Sequence, residues 1–292
     1  MNFIDDLKSK YAQQTALGQL IVVIVALTLV SWLLQYVYAP SYYWFRLPPG
    51  LWETLLQPWS IITYAFLHSG IFHLFWNMLI LFSFGQMMLN FFNSRQLITL
   101  FFAGVLSGAA FYLLGESLFS TYVNSAGLVG ASAGVYAVAL FVCSYQPDTE
   151  VRLIFFNLKL KYIGYFLLVM TIAGIFARDN VGGNLAHLGG IAIGFYTAHK
   201  MRDGIDILKG LSSVGDWFQS MFKSTPKKEK KAPMKTVYRN KKSTKSTSKE
   251  KSTQQAKIDA ILDKISASGY ESLVKQRKIF YLKQVRIKQR CL

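Results

Sequence analysis

Six windows of this sequence contain no Asp, Glu, Lys or Arg: 11–45, 54–94, 96–115, 117–147, 162–177 and 180–199. Nothing else in the chain restricts its fold as strongly. A helix needs about 20 mostly apolar residues to cross the hydrocarbon of a bilayer, and it satisfies every backbone amide within itself. The first window holds one such helix with its flanks, and 54–94 holds a loop plus one more. The expected helices are 18–38, 71–91, 96–115, 126–145, 162–177 and 183–202. The fifth has a charge-free core of only 16 residues, which Lys159 and Lys161 can extend by snorkelling. Charged residues make up 16% of the chain, where a soluble domain carries about a quarter. The expected class is an all-α, polytopic membrane protein with six transmembrane helices.

Basic residues in short loops orient such a bundle. With the N-terminus inside, Lys8, Lys10, Arg95, Arg152, Lys159, Lys161, Lys200 and Arg202 fall on the cytoplasmic side, and only Arg46 and Arg178 fall outside. Both termini are therefore expected in the cytoplasm. The first apolar stretch is long and no A-x-A site follows it before a soluble region, so it reads as a span and not as a cleaved signal. Cys143 lies in a span and Cys291 in the cytoplasmic tail, which implies no disulfide framework.

The chain divides into a membrane body, 1–202, and a basic tail. From 203 onward, 22 Lys and Arg face eight Asp and Glu, a surplus that accounts for most of the net +17. Residues 203–255 read as a low-complexity linker that cannot bury a core, and the tail as mostly disordered. Within 256–292, Ile258, Ile261, Leu262 and Ile265 recur at helical spacing and suggest a short amphipathic helix. With no fold to present nucleic acid, contact of the tail with anionic lipid is the simpler expectation. The loop 39–70 carries "YAPSYYWF", "LPPG" and "LWETLLQPW", and such aromatic density predicts a position in or against the outer leaflet.

Polar residues inside spans are costly and face the bundle interior or a wet cavity. In the expected topology, helices two, four and six run the same way. His68 and His73 then lie at the outer end of helix two, with Asn77 one turn deeper. Ser132 lies about two turns below the outer end of helix four, and His187 about one turn down helix six. A serine hydroxyl needs a base to become a nucleophile, and His187 is a suitable one. His73 and Asn77, at i and i+4, project from one face and can donate to an oxyanion beside the Ser132 backbone N–H. Taken singly, each has a structural reading. Gly130 and Gly134 form a GxxxG packing pair around the serine, Tyr136 is a packing aromatic, and His68, next to the loop, is a structural polar residue.

Together these motifs resemble the rhomboid family of intramembrane serine proteases over about residues 50–200. The matching elements are H-x₄-H-x₃-N (His68, His73, Asn77), G-x-S with Tyr136 four residues on, and A-H-x-x-G-x-x-x-G from Ala186 to Gly194. The resemblance implies a Ser132–His187 dyad with no carboxylate, metal or cofactor. Tyr136 would stack on His187, and His73, Asn77 and the Ser132 N–H would form the oxyanion hole. Gly130 would allow close backbone approach, and Gly190 and Gly194 would bring helix six against helix four. Ala133 stands directly after the serine where many members have Gly, and Trp59-Ser60 stands where the family's loop often has Trp-Arg. The implied activity is cleavage of transmembrane-anchored, single-span proteins near the outer face of a bacterial inner (plasma) membrane. Two other classes stay open: a non-catalytic rhomboid-like binder of membrane proteins, and a small transporter or channel whose path the polar cluster lines.

Overall fold

A computed structural model describes residues 3–123, 126–153 and 156–210, together with 259–260, 263 and 266–267. Contacts divide the chain into Met1–Pro226 and Lys227–Leu292. Every element below belongs to the first unit, and the expected amphipathic helix at 256–265 falls almost wholly outside the described residues.

The helices in chain order are α1 Phe3–Ala12, α2 Ala16–Val37, α3 Pro40–Phe45, α4 Leu51–Leu56, α5 Ser60–Thr63, α6 Ile71–Leu89, α7 Ser94–Val123, α8 Ser132–Tyr145, α9 Leu160–Phe176 and α10 Val181–Arg202. A single 3-10 turn, Tyr64–Phe66, precedes α6. Strands β1 Glu150–Leu153 and β2 Phe156–Lys159 form an antiparallel pair between α8 and α9. Three helices, α2, α6 and α7, are long and apolar enough to cross a membrane; α8 and α9 are shorter apolar helices. Their outward faces carry large apolar side chains, such as Leu33 on α2, 69% exposed, and Phe72 on α6, 76% exposed. Surfaces of this kind call for lipid, since a soluble monomer seldom exposes wide apolar patches.

Local chemistry explains several boundaries. Thr15 caps α2 by accepting from the Gly18 N–H at 3.2 Å, a common N-cap role for threonine. Asn93 and Gln96 exchange backbone-to-side-chain bonds of 3.0 and 2.9 Å across the start of α7, a capping box. That helix continues past the expected end at 115. Glu116 is buried within it and the backbone breaks only at Phe119, so a single acid did not end the helix. The loop 39–70 is built of α3, α4 and α5, with Trp52 70% and Leu55 70% exposed. Trp59 stacks on Trp44 at 6.2 Å and donates to its carbonyl at 2.7 Å, while Ser60 is buried.

The main departure from expectation is at α8. The helix expected from 126 begins at Ser132, and Gly127–Ala131 is not helical. Gly127 and Gly130 have φ of +116° and +124°, a region open to glycine and strained for other residues. Leu128 instead pairs with Leu47 as an antiparallel bridge, with bonds of 3.1 and 2.8 Å, and the Gly130 N–H donates to the Tyr64 carbonyl at 2.9 Å. The backbone amides thus find partners outside the helix. Ser132 is consequently the first helical residue and not a residue two turns in.

Glycines reveal how the helices run. A Cβ at Gly190 would meet the Ala133 carbonyl, and one at Gly194 the Ala137 carbonyl. The four-residue step advances on both helices, so α8 and α10 are parallel. On α7 the order reverses: Gly104 lies against Ala137, and Gly108 against Ala133. Helix α8, buried at nearly every residue from Ala133 to Cys143, is the centre of the core, with α7 and α10 pressed on it backbone to backbone. Past α10, Leu208 is buried and Asp206 accepts from Gln96 at 2.8 Å.

Candidate active site

At 14 residues, α8 is roughly 21 Å long at 1.5 Å per residue, shorter than the ~30 Å hydrocarbon core. Ser132 is its first residue. The extended segment above it is held by protein partners, the condition under which irregular backbone is tolerated at membrane depth.

Ser132 Oγ is 2.8 Å from His187 Nε2. The Tyr136 ring lies flat on the His187 ring, with centroids 4.2 Å apart and planes 10° from parallel. One turn of α8 separates Ser132 from Tyr136, so a single helix face touches both the edge and the face of the imidazole. His187 Nδ1 is buried with no hydrogen-bond partner among the described residues. The first N–H groups of a helix have no intrahelical acceptor, and Ser132 is the first residue of α8.

His73 reaches this centre from α6. A Cβ on Gly130 would lie 2.9 Å from His73 Nε2 and 3.6 Å from Ser132 Oγ, so only glycine admits the ring there. His73 Nδ1 is 3.1 Å from Ser69 Oγ. Asn77, one turn on, is buried, and its Nδ2 donates to the His73 carbonyl at 2.8 Å.

His68 sits one layer behind. It is fully buried, its ring 5.0 Å from that of His73. Thr28 has one hydroxyl hydrogen and donates it to the Phe66 carbonyl at 2.9 Å. Toward His68 Nδ1, also at 2.9 Å, it therefore accepts. This pattern assigns the ring proton to Nδ1 and leaves Nε2 to accept the Ala131 N–H at 3.4 Å. Trp32 Nε1 donates to the His68 carbonyl at 2.7 Å. His68 thus ties α2 to the residue before Ser132. His68→Ala is expected to lower unfolding stability by about 2–3 kcal/mol through the lost bonds and stranded polar groups, measurable by denaturant titration in detergent micelles.

Sequence reasoning missed Thr28, Trp32, Ser69 and Tyr64. Tyr64 is buried, donates to the Val105 carbonyl at 2.8 Å, and holds Gly130 through its own carbonyl. Ser69 lies within the His68–His73 spacing but is not one of its fixed positions, and the hydroxyl or indole groups of Thr28, Trp32 and Tyr64 give no signal until a partner from another element is known.

The Rhomboid domain family model matches residues 55–203. The chain belongs to the rhomboid family. It is 31% identical over 158 residues to RHOMBOID-like protein 12, mitochondrial, of Arabidopsis thaliana, covering 50% of this chain and 47% of that protein. It is 29% identical over 140 residues to Rhomboid protease GluP of Bacillus subtilis (strain 168), covering 48% and 25%. Over 148 residues it is 28% identical to human presenilin-associated rhomboid-like protein, mitochondrial, covering 49% and 38%. The chain thus spans half or less of the length of these relatives. This rhomboid is a membrane protein, and its family includes serine proteases.

Proposed function

We propose that this rhomboid is an intramembrane serine endopeptidase that cleaves transmembrane-anchored proteins through Ser132 and His187. The observation that carries the reading is the 2.8 Å contact between Ser132 Oγ and His187 Nε2, closed in by the Tyr136 ring. In this mechanism His187, with its proton on Nδ1, accepts the Ser132 proton at Nε2 as Oγ attacks the scissile carbonyl. The tetrahedral oxyanion is met by the Ser132 N–H, the second amide hydrogen of Asn77 and His73 Nε2–H, the last when Ser69 donates to His73 Nδ1. Imidazolium then protonates the leaving amine, and water, activated by the same histidine, hydrolyses the acyl-enzyme. Among the described residues His187 Nδ1 has no carboxylate partner, and in this reading the negative π-face of Tyr136 takes over part of that role.

The reading includes six spans, with α8, α9 and α10 joining α2, α6 and α7; a protease body at 1–202; and a basic linker and terminal segment after it. It places the protein in a bacterial inner membrane with both termini cytoplasmic, so that cleavage occurs near the outer face.

The test is cleavage of a panel of single-span proteins in liposomes, with product ends identified by mass spectrometry. Wild type should cut near one end of the span, and an active-site serine probe should label Ser132. A probe that leaves Ser132 unlabelled while the protein still captures the same substrates would establish a non-catalytic binder instead. Tyr136→Phe keeps the ring and should retain most of the cleavage rate, whereas Tyr136→Ala should lower kcat by roughly 10- to 100-fold, the scale of about 1.4–2.8 kcal/mol in the barrier. Gly130→Ala should reduce cleavage strongly, since its Cβ displaces His73.

A further inference from the structure

At the end of the bundle away from Ser132, a groove of about 430 Å³ opens between α8, α9 and α10. Its walls are apolar, formed by Leu140, Gly164, Leu168, Ile191 and Phe195, and its mouth carries Lys161 and Arg202. From this geometry we propose a binding site for one anionic glycerophospholipid, its acyl chain in the groove and its phosphate between the two cations.

The charges at the mouth are under-compensated. Lys161 lies 2.7 Å and Lys159 3.7 Å from the same carboxylate, Asp148, so two ammonium groups share one acid. Among the described residues the Arg202 guanidinium has a single bond, to the Ser144 carbonyl at 3.5 Å, and no carboxylate. A guanidinium beside an apolar cleft is suited to a phosphate, which it can bind with two parallel N–H bonds. Basic pockets between transmembrane helices are a known setting for anionic head groups.

The walls select a lipid over a free anion. The groove's α9 and α10 rims lead onto exposed apolar side chains, Tyr165 at 60% and Phe195 at 59%, so it is continuous with the lipid-facing surface. A soluble phosphate would leave the apolar walls empty. The chain's own tail, with its 22 basic residues, carries the wrong sign for the mouth. The site lies apart from Ser132 and does not depend on the protein being a protease.

The experiment uses the full chain in uncharged detergent with equimolar phosphatidylglycerol and phosphatidylcholine of identical acyl chains, read by native mass spectrometry. Wild type should retain phosphatidylglycerol roughly fivefold more, the scale set by one uncompensated cation near the head group. The K161Q/R202Q variant should lose this preference, A192F should reduce retention of both lipids by filling the groove, and glycerol phosphate should not compete. A phosphatidylglycerol carrying an acyl diazirine should label wild-type peptides around 140–147, 161–168 and 191–202. Equal retention of the two lipids by wild type, or labelling confined to other peptides, would overturn the proposal.

Discussion

Ser132→Ala should lower cleavage of a single-span substrate by about 10⁴-fold or more, the scale seen when a serine enzyme loses its nucleophile. The side chain is half-buried and its one hydrogen bond among the described residues is to His187 Nε2. Removing it takes a single hydrogen bond from the partly buried His187 ring, so the fold should survive and the thermal midpoint should stay close to wild type. His187→Ala should cost a comparable factor. In the proposed mechanism the two residues act as one unit, so the double variant should be no slower than either single one. That non-additivity distinguishes a dyad from two independent structural contributions. Undiminished cleavage by Ser132→Ala, with product ends unchanged, would refute the mechanism.

Gly190→Leu should remove both activity and stability. Its Cβ would overlap the Ala133 carbonyl oxygen, a backbone atom one residue from Ser132 that cannot step aside as a side-chain tip can. Helices α8 and α10 must then separate, which should cost about 3 kcal/mol or more by overpacking. Separation also pulls His187, three residues earlier on α10, away from Ser132. The control is Gly70→Ala. Gly70 has extended backbone with φ of −178°, and a Cβ there meets nothing within 4 Å. That variant should keep its midpoint and its activity. Circular dichroism melts in detergent and a cleavage assay on the two variants make the comparison; equal stability for both would contradict the close approach.

The sequence was most legible where a rule has a period or a threshold. Charge-free windows marked α2 and α6 to within a few residues: 18–38 was expected and Ala16–Val37 observed, 71–91 against Ile71–Leu89, whereas α7, expected to end at 115, runs on to Val123. Caps account for the small offsets, since Thr15 and Asn180 start their helices just ahead of the apolar run. The strand pair at Glu150–Lys159 and the helices within 39–70 were not read, because short elements between spans lack a hydrophobic period long enough to register.

Ser132, His187, His73 and Asn77 were readable as a set because hydroxyl, imidazole and amide groups are costly in an apolar helix. The start of α8 was not. Gly127–Ala131 looks like helix by hydropathy, and only the Leu47 bridge and the Tyr64 carbonyl, from distant parts of the chain, make its extended form the better-satisfied one. Sequence by itself therefore determined that the chain is built of long apolar helices, and which polar side chains need protein around them. Tertiary structure alone decided that Ser132 opens its helix, that Thr28 sets the tautomer of His68, and that glycine contacts bring α10 within hydrogen-bonding reach of α8. The physical reason is that hydrophobicity is summed locally along the chain, whereas a hydrogen bond exists only once its second partner has arrived.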